Sequence, residues 1–321
     1  MSYHEKYLKY KTKYLNFKND IFINSIDDYD LIGIGEFNHG MQNIWDYRFN
    51  LLKQVMKNTN KNITIFNEMS VWQAENIMND TIYDHDNDKF IKYKNIKLEI
   101  ESQKTTSEPA WGELWQYCNH SLESKIFLEI IKFIRKNKKR ISIIGIDNDT
   151  LARDHDMYKI IIKNLNLNNI NFLWAHNFHI DDRKLDDKNY AYTKDKFPNL
   201  KHTCGHYLKQ KLKDKYCIIL SQAAEGEIRF NGVCIGESCE TRIWTMKYFY
   251  KEFDYLPNKK YILKNVPYKL YDNFNDNLIE FSNSYNADGF NGGYIIKIKK
   301  PKYNYVLFFN KINKLVSYKE Y

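Results

Sequence analysis

Long apolar runs are absent from this chain of 321 residues. None approaches the roughly 18 residues that a membrane-spanning helix needs. The opening stretch MSYHEKYLKYKTKYLNFKND also lacks the apolar core of a signal peptide. Both absences lead us to expect a soluble protein kept in the cytoplasm, with no membrane partner. No repeat and no low-complexity linker interrupts the chain, so a single large domain is expected over residues 21–321, preceded by a short helix over residues 1–20. Cysteine is sparse and odd in number at five, with no CxxC pair, which argues for reduced thiols rather than a disulfide framework. Cys234 and Cys239 are close enough in sequence to pair, but nothing requires it. There is no arginine-rich block either. The net charge of +9 comes from lysines scattered among aspartates and asparagines, so nucleic acid is not an expected partner. Finally, there is no GxSxG elbow, so no serine nucleophile is indicated.

Hydrophobic residues make up 43% of the chain, enough to build a substantial core over this length. Lysine, asparagine, isoleucine and tyrosine are abundant and proline is scarce. That bias suits an AT-rich genome such as that of a large DNA virus, which would place the protein in host cytoplasm. Tyr3, Tyr7, Tyr10, Tyr14 and Phe17 recur at steps of three and four, predicting one aromatic face on the N-terminal helix. Strands and helices then alternate. DLIGIG, NITIFNE, RISIIGID, INFLWAHN and YCIILSQ read as five buried strands. Helices are expected near 41–57, across VWQAENIMND, near 111–118 and 122–138, across LARDHDMYKIIIKNLN, and near 205–213. Residues 84–108 read as polar and irregular. This alternation predicts an α/β fold: a mostly parallel central sheet with helices on both faces. GGYIIKIKK and YNYVLFFN read as late strands, expected as antiparallel edges.

Ligands of such sheets bind beyond the carboxyl ends of the strands. Four of the five predicted strands finish there in a titratable side chain: Glu36 with His39 just after, Glu68, Asp147, and His176 with His179 three residues on. A shared cleft explains four such endings better than four separate solvated charges. Arg48 falls on the same helical face as Ile44, Leu51, Leu52 and Val55. A buried guanidinium needs a partner, and helical side chains lean toward the N-terminus, so Glu36, His39 or Glu68 is expected to meet it. The following helix N-terminus would favour a neutral His39 imidazole, the form a general base requires.

The motifs GIGEFNHGMQNIWDYR, FNEMS, GID, RDHDMYKIIIKN and WAHNFHI, in this order, resemble the erythromycin esterase family. The resemblance rests on a Gly-Glu-x-x-His-Gly turn, an arginine nine residues after that histidine, a glutamate ending the next strand, and a His-Asn-x-His stretch. It runs from about Leu31 to Leu220, with a shortened helical insertion at about 80–138. It implies hydrolysis of an ester or lactone, with His39 activating water and Glu36, Arg48, Glu68, His176 and His179 beside it. Asp147 and Asn177 would contact the small-molecule substrate. No cofactor is expected on this reading. The wider fold group also resembles proteins that bind haem or use a metal, and Glu36, His39, Glu68, His176 and His179 could supply nitrogen and oxygen ligands. The alternatives are therefore a metal-dependent hydrolase, a metal- or haem-binding protein, and a binding protein that keeps the fold without turnover. Oligomeric state is not legible.

Overall fold

The computed structural model describes residues 25–37, 41–79, 81–84, 89–92, 125–147, 152–183, 202–235, 238–245, 268–272, 278–283, 293–298 and 303–313. The helix expected over residues 1–20, the helix expected near 111–118 and His39 lie outside the described residues.

The main sheet is built first by β1 (Leu31–Glu36), β2 (Ile63–Asn67), β5 (Ile141–Gly145), β6 (Ile170–His176) and β7 (Tyr216–Ile235). They lie in the order β5-β2-β6-β1-β7, and every pairing among them is parallel. All residues of β1, β2 and β6 are buried, which is why they read as near-continuous apolar runs rather than alternating ones. Helices occupy both faces. On one side lie α1 (Gln42–Asn58), α2 (Val71–Asn79) and α3 (Lys125–Lys136), which join the apolar cluster of Ile34, Ile65 and Trp174. On the other lie α4 (Arg153–Asn164) and α6 (Cys204–Leu212), which pack on Leu31, Phe66, Leu173 and Ile218. A single turn, α5 (Asn177–Ile180), follows β6 directly. In α3, Ile126, Phe127, Ile130, Ile131 and Ile134 form one buried stripe at steps of three and four. Arg135 and Lys136 stand in its last turn, where cations favour the helix dipole.

The later strands differ from expectation in one respect. β12 (Tyr305–Ile312) is not an antiparallel edge. It runs parallel beside β7, and the antiparallel edge is β9 (Tyr268–Tyr271), paired outside it. A parallel return needs a long crossover, and residues 246–304 supply one. The segment from 84 to 108, read as irregular, carries β4 (Lys89–Lys92), which pairs antiparallel with β3 (Thr81–Asp84). β10 (Leu278–Asn283) and β11 (Gly293–Ile298) form a separate antiparallel pair. β7 is longer than its apolar start implies. Past Gly226 it leaves the parallel sheet and continues as a hairpin with β8 (Ser238–Thr245), in which Cys234 lies opposite Cys239. Cys204 and Cys217 are free and buried. Among the described residues, no helix is long and apolar enough to cross a membrane.

Candidate functional site

The carboxyl ends of β1, β2, β5 and β6 gather a set of buried charges. Glu36 is the last residue of β1 and is 3% exposed. Arg48, in the second turn of α1 and 1% exposed, reaches back toward it. Its Nη1 donates to Glu36 Oε2 at 3.4 Å, and its Nη2 donates to the carbonyls of Ile34 at 2.7 Å and Ala175 at 3.0 Å. The guanidinium also lies 4.8 Å from the Trp45 ring centroid and 5.8 Å from that of Trp174. Arg48 thus ties α1 to the ends of two neighbouring strands while neutralising Glu36.

A second network forms around Glu68, the residue after β2. Its Oε2 accepts from the His176 backbone N–H at 2.6 Å, and its Oε1 accepts from Arg153 Nη2 at 2.9 Å. Arg153 opens α4 and forks onto Asp147, with Nε donating to Oδ1 at 2.9 Å. His179 Nε2 lies 3.2 Å from Glu68 Oε1, and its Nδ1 lies 3.0 Å from Asp154 Oδ1. Arg153 thus meets two carboxylates, Glu68 and Asp147, and an imidazolium at His179, set between Glu68 and a third carboxylate, Asp154, brings the balance of the network closer to neutral. Burial alone would lower the His179 pKa, but Asp154 and Glu68 outweigh it and raise the group to about 10. Asp154 Oδ1 also accepts from the Cys204 backbone N–H at 2.7 Å, which fixes the start of α6 against α4. Burial, with Asp154 and Glu68 nearby, holds the Cys204 thiol well above its usual range, so it stays protonated.

The other residues are placed as follows. His176 Nδ1 accepts from Phe178 N–H at 3.3 Å, leaving Nε2 as the donor to the Phe37 carbonyl at 3.2 Å. The ring is bound to backbone on both sides. Asn177 is fully buried. Its Nδ2 donates to the Ser221 carbonyl at 2.9 Å, and its Oδ1 accepts from Ser221 N–H at 3.1 Å. The carboxamide thereby clips α5 to β7. Gly35 has no side chain because a Cβ there would strike Asn177 Oδ1. The structure thus gathers Glu36 with Arg48 in one group, and Glu68, Asp147 and His179 in another. The His176 backbone joins the second group and its ring touches the end of β1.

Two members of the second group, Arg153 and Asp154, are not among the residues that the strand-end pattern marks. A signal for them exists: RDHD puts charges of both signs at the start of a helix, directly after a buried strand and turn. Asn67 escapes the pattern too. It is the last residue of β2 and 1% exposed, and its Nδ2 has no hydrogen-bond partner among the described residues. Among those residues no group of three or more histidine, cysteine, aspartate or glutamate side chains is arranged to hold a metal ion. The carboxylates around Glu68 are met by guanidinium and imidazole.

No family model matches the chain. No curated protein sequence matches it either. Solved structures do. A mutant of the erythromycin esterase EreC in its open conformation superposes with a TM-score of 0.55 at 9% identity, covering 92% of this chain and 94% of its own. A succinoglycan biosynthesis protein gives 0.54 at 12% identity over 91% of this chain and 90% of its own. A Bacillus cereus protein gives 0.51 at 10% identity over 89% of each chain. At these identities the likeness is one of fold. The viral source suggested by composition finds no support among the matches.

Proposed function

We propose that this chain is a hydrolase of ester or lactone bonds that uses a water activated by His39 and requires no cofactor. The observation that carries the reading is the buried charge network at the carboxyl ends of β1, β2, β5 and β6, in a sheet with the fold of an erythromycin esterase. Buried ionised groups are costly unless they are paired, and open α/β sheets bind ligands at this edge. His39 follows Glu36 by three residues in the chain. In the proposed reaction His39 takes a proton from water, and the hydroxide attacks the acyl carbon. Glu36, fixed by Arg48, orients the imidazole and stabilises its charged form. The imidazolium then returns the proton to the leaving alkoxide, giving an acid and an alcohol.

Within this reading Arg48 serves Glu36 and the strand ends, because both of its terminal nitrogens already have protein acceptors. Glu68, Arg153 and His179 form the rigid floor of the cleft. Asp147 and Asn177 border it, and the partner is a small molecule. A panel of p-nitrophenyl esters and lactones assayed on the purified protein, with His39→Ala as control, tests the proposal. Turnover that His39→Ala removes supports it. Turnover of no ester or lactone in the panel overturns it.

A further inference from the structure

The β7–β8 hairpin sets two cysteines in one register. Ile235 pairs with Ser238 and Cys234 pairs with Cys239, and only Gly236 and Glu237 separate Ile235 from Ser238 in the chain. Antiparallel ladders alternate: one opposed pair exchanges both backbone hydrogen bonds, and the next exchanges none. The pair that closes a two-residue connection is the hydrogen-bonded one. Cys234 and Cys239, one step further along, therefore occupy a non-hydrogen-bonded position. At such positions opposed Cα atoms approach to about 4.5 Å, inside the span of roughly 4.4–6.8 Å that a disulfide bridges. The ladder is also weakest here. Its longer part joins Glu227–Asn231 to Thr241–Thr245, and the register shifts between Asn231 and Cys234. Gly232 and Val233 of β7 stand against Glu240 alone, which makes a bulge. Two pairs remain beyond it, and a ladder that short is marginal in water and weakly fixed in register.

We propose that Cys234 and Cys239 are a reversible dithiol–disulfide pair, oxidised by exchange with glutathione disulfide, that clamps the tip of this hairpin. One cysteine thiolate attacks a sulfur of glutathione disulfide and expels a glutathione thiolate, leaving a mixed disulfide. The other cysteine then attacks the protein-side sulfur and expels the second glutathione. Two protein thiols are oxidised, one glutathione disulfide is reduced to two glutathiones, and the two thiol protons end on the departing thiolates. The bond would enclose only Ile235 to Ser238. So short a loop gains little from chain entropy, and a weakly stabilising bond stays reducible, as regulatory disulfides do. This fits a chain whose odd cysteine count argues against a structural disulfide framework. β7 runs parallel beside β1 with Ile219 level with Ile34, so its hairpin continues past the carboxyl edge of β1. The clamp thus acts on an arm that leaves the sheet at that edge. The inference is independent of the hydrolase reading.

Trypsin releases Phe230 to Arg242 as one peptide with both cysteines, because no lysine or arginine lies between. The full chain is equilibrated with glutathione disulfide, alkylated with iodoacetamide and digested. That peptide should then carry neither alkyl group nor glutathione, weigh two hydrogens less than the dithiol, and keep its halves joined when cut after Glu237. Dithiothreitol should reverse all of this. In Cys234→Ser, Cys239 should hold glutathione, because no second thiol expels it, and Cys239→Ser should leave glutathione on Cys234. Cysteines this near in sequence also meet in an unfolded chain, so the ladder's contribution is read against protein in urea. At fixed reduced glutathione, half-oxidation of the folded chain should need a glutathione disulfide concentration roughly tenfold lower or less, because the register raises the effective concentration of one thiol at the other. Equal midpoints in the folded and unfolded chain overturn the proposal. So does a wild-type peptide that stays doubly alkylated, stops at the glutathione adduct, or links to a second chain.

Discussion

Arg48 is legible in the sequence because helical spacing sets it among isoleucine, leucine and valine. Its partner is only narrowed to three candidates there, since spacing gives the face of a helix but not the rotamer. The fold supplies Glu36 and two carbonyls. Removing the guanidinium leaves those acceptors buried, so Arg48→Met should lose about 3–5 kcal/mol of stability, measured by urea denaturation monitored by circular dichroism. An unchanged midpoint would show that the strand ends hold without it. His179 behaves differently, because its partners keep it charged. Its ordinary pKa is near 6.5 and the folded value is raised to about 10. The stabilisation is fully present below pH 6.5 or so. Above that the unfolded chain releases a proton that the folded chain keeps, so stability declines as pH rises and the contribution is gone past about 10. Melting curves of wild type between pH 6.5 and 10 should therefore fall, and those of His179→Gln should fall less. Parallel curves would mean that His179 is neutral. The charged state of His179 is not readable from sequence, because Asp154 reaches it through a contact between helices.

At the level of elements, the parallel core follows from the chain's own pattern. Five buried apolar runs separated by helical periodicity admit few other folds. What does not follow is the role of the late strands. YNYVLFFN alternates too weakly to reveal its direction, and only the long crossover before it permits a parallel return. Strand length is also hidden: YCIILSQ marks the buried half of β7, while its polar continuation is defined by pairing with β8. The joint between β1, α5 and β7 gives an element-scale prediction. Asn177 bonds both backbone groups of Ser221 and lies against Gly35. Gly35→Ala would push that amide aside, with a cost of about 1–3 kcal/mol from overpacking. A lower melting temperature, with the Gly35→Ala fold intact by circular dichroism, is the expected result. A melting temperature equal to wild type would show that α5 can shift freely.

For the whole molecule, the proposed chemistry depends on one imidazole and no metal. His39→Ala should reduce turnover by roughly 10²–10⁴. Prolonged dialysis against a chelator should leave the rate unchanged. A rate abolished by chelation and restored by one equivalent of metal would replace this mechanism with a metal-assisted one. The candidate site itself is partly legible at this scale. Four strand ends mark its acidic and imidazole residues, because parallel sheets expose those ends together. Arg153 and Asp154 escape notice because their significance lies in which partner each has, and spacing along a chain does not report that.

β12 has a consequence for how the protein is made. It lies inside the sheet between β7 and β9, and the residues around its end bond the start of α1. Asn313 N–H donates to Asn43 Oδ1 at 2.6 Å across 270 positions, and Gln42 N–H donates to the Asn313 carbonyl at 2.9 Å. The start of α1 is thus held by residues synthesised near the other end of this chain. During translation, β1, β2, β5, β6 and β7 emerge first and can associate, yet β7 presents an unpaired edge until residues 305–312 leave the ribosome. An exposed edge of this kind recruits other chains. A nascent chain stalled before residue 305 should therefore be prone to aggregation and protease attack, and competence at the site should appear late and abruptly in synthesis.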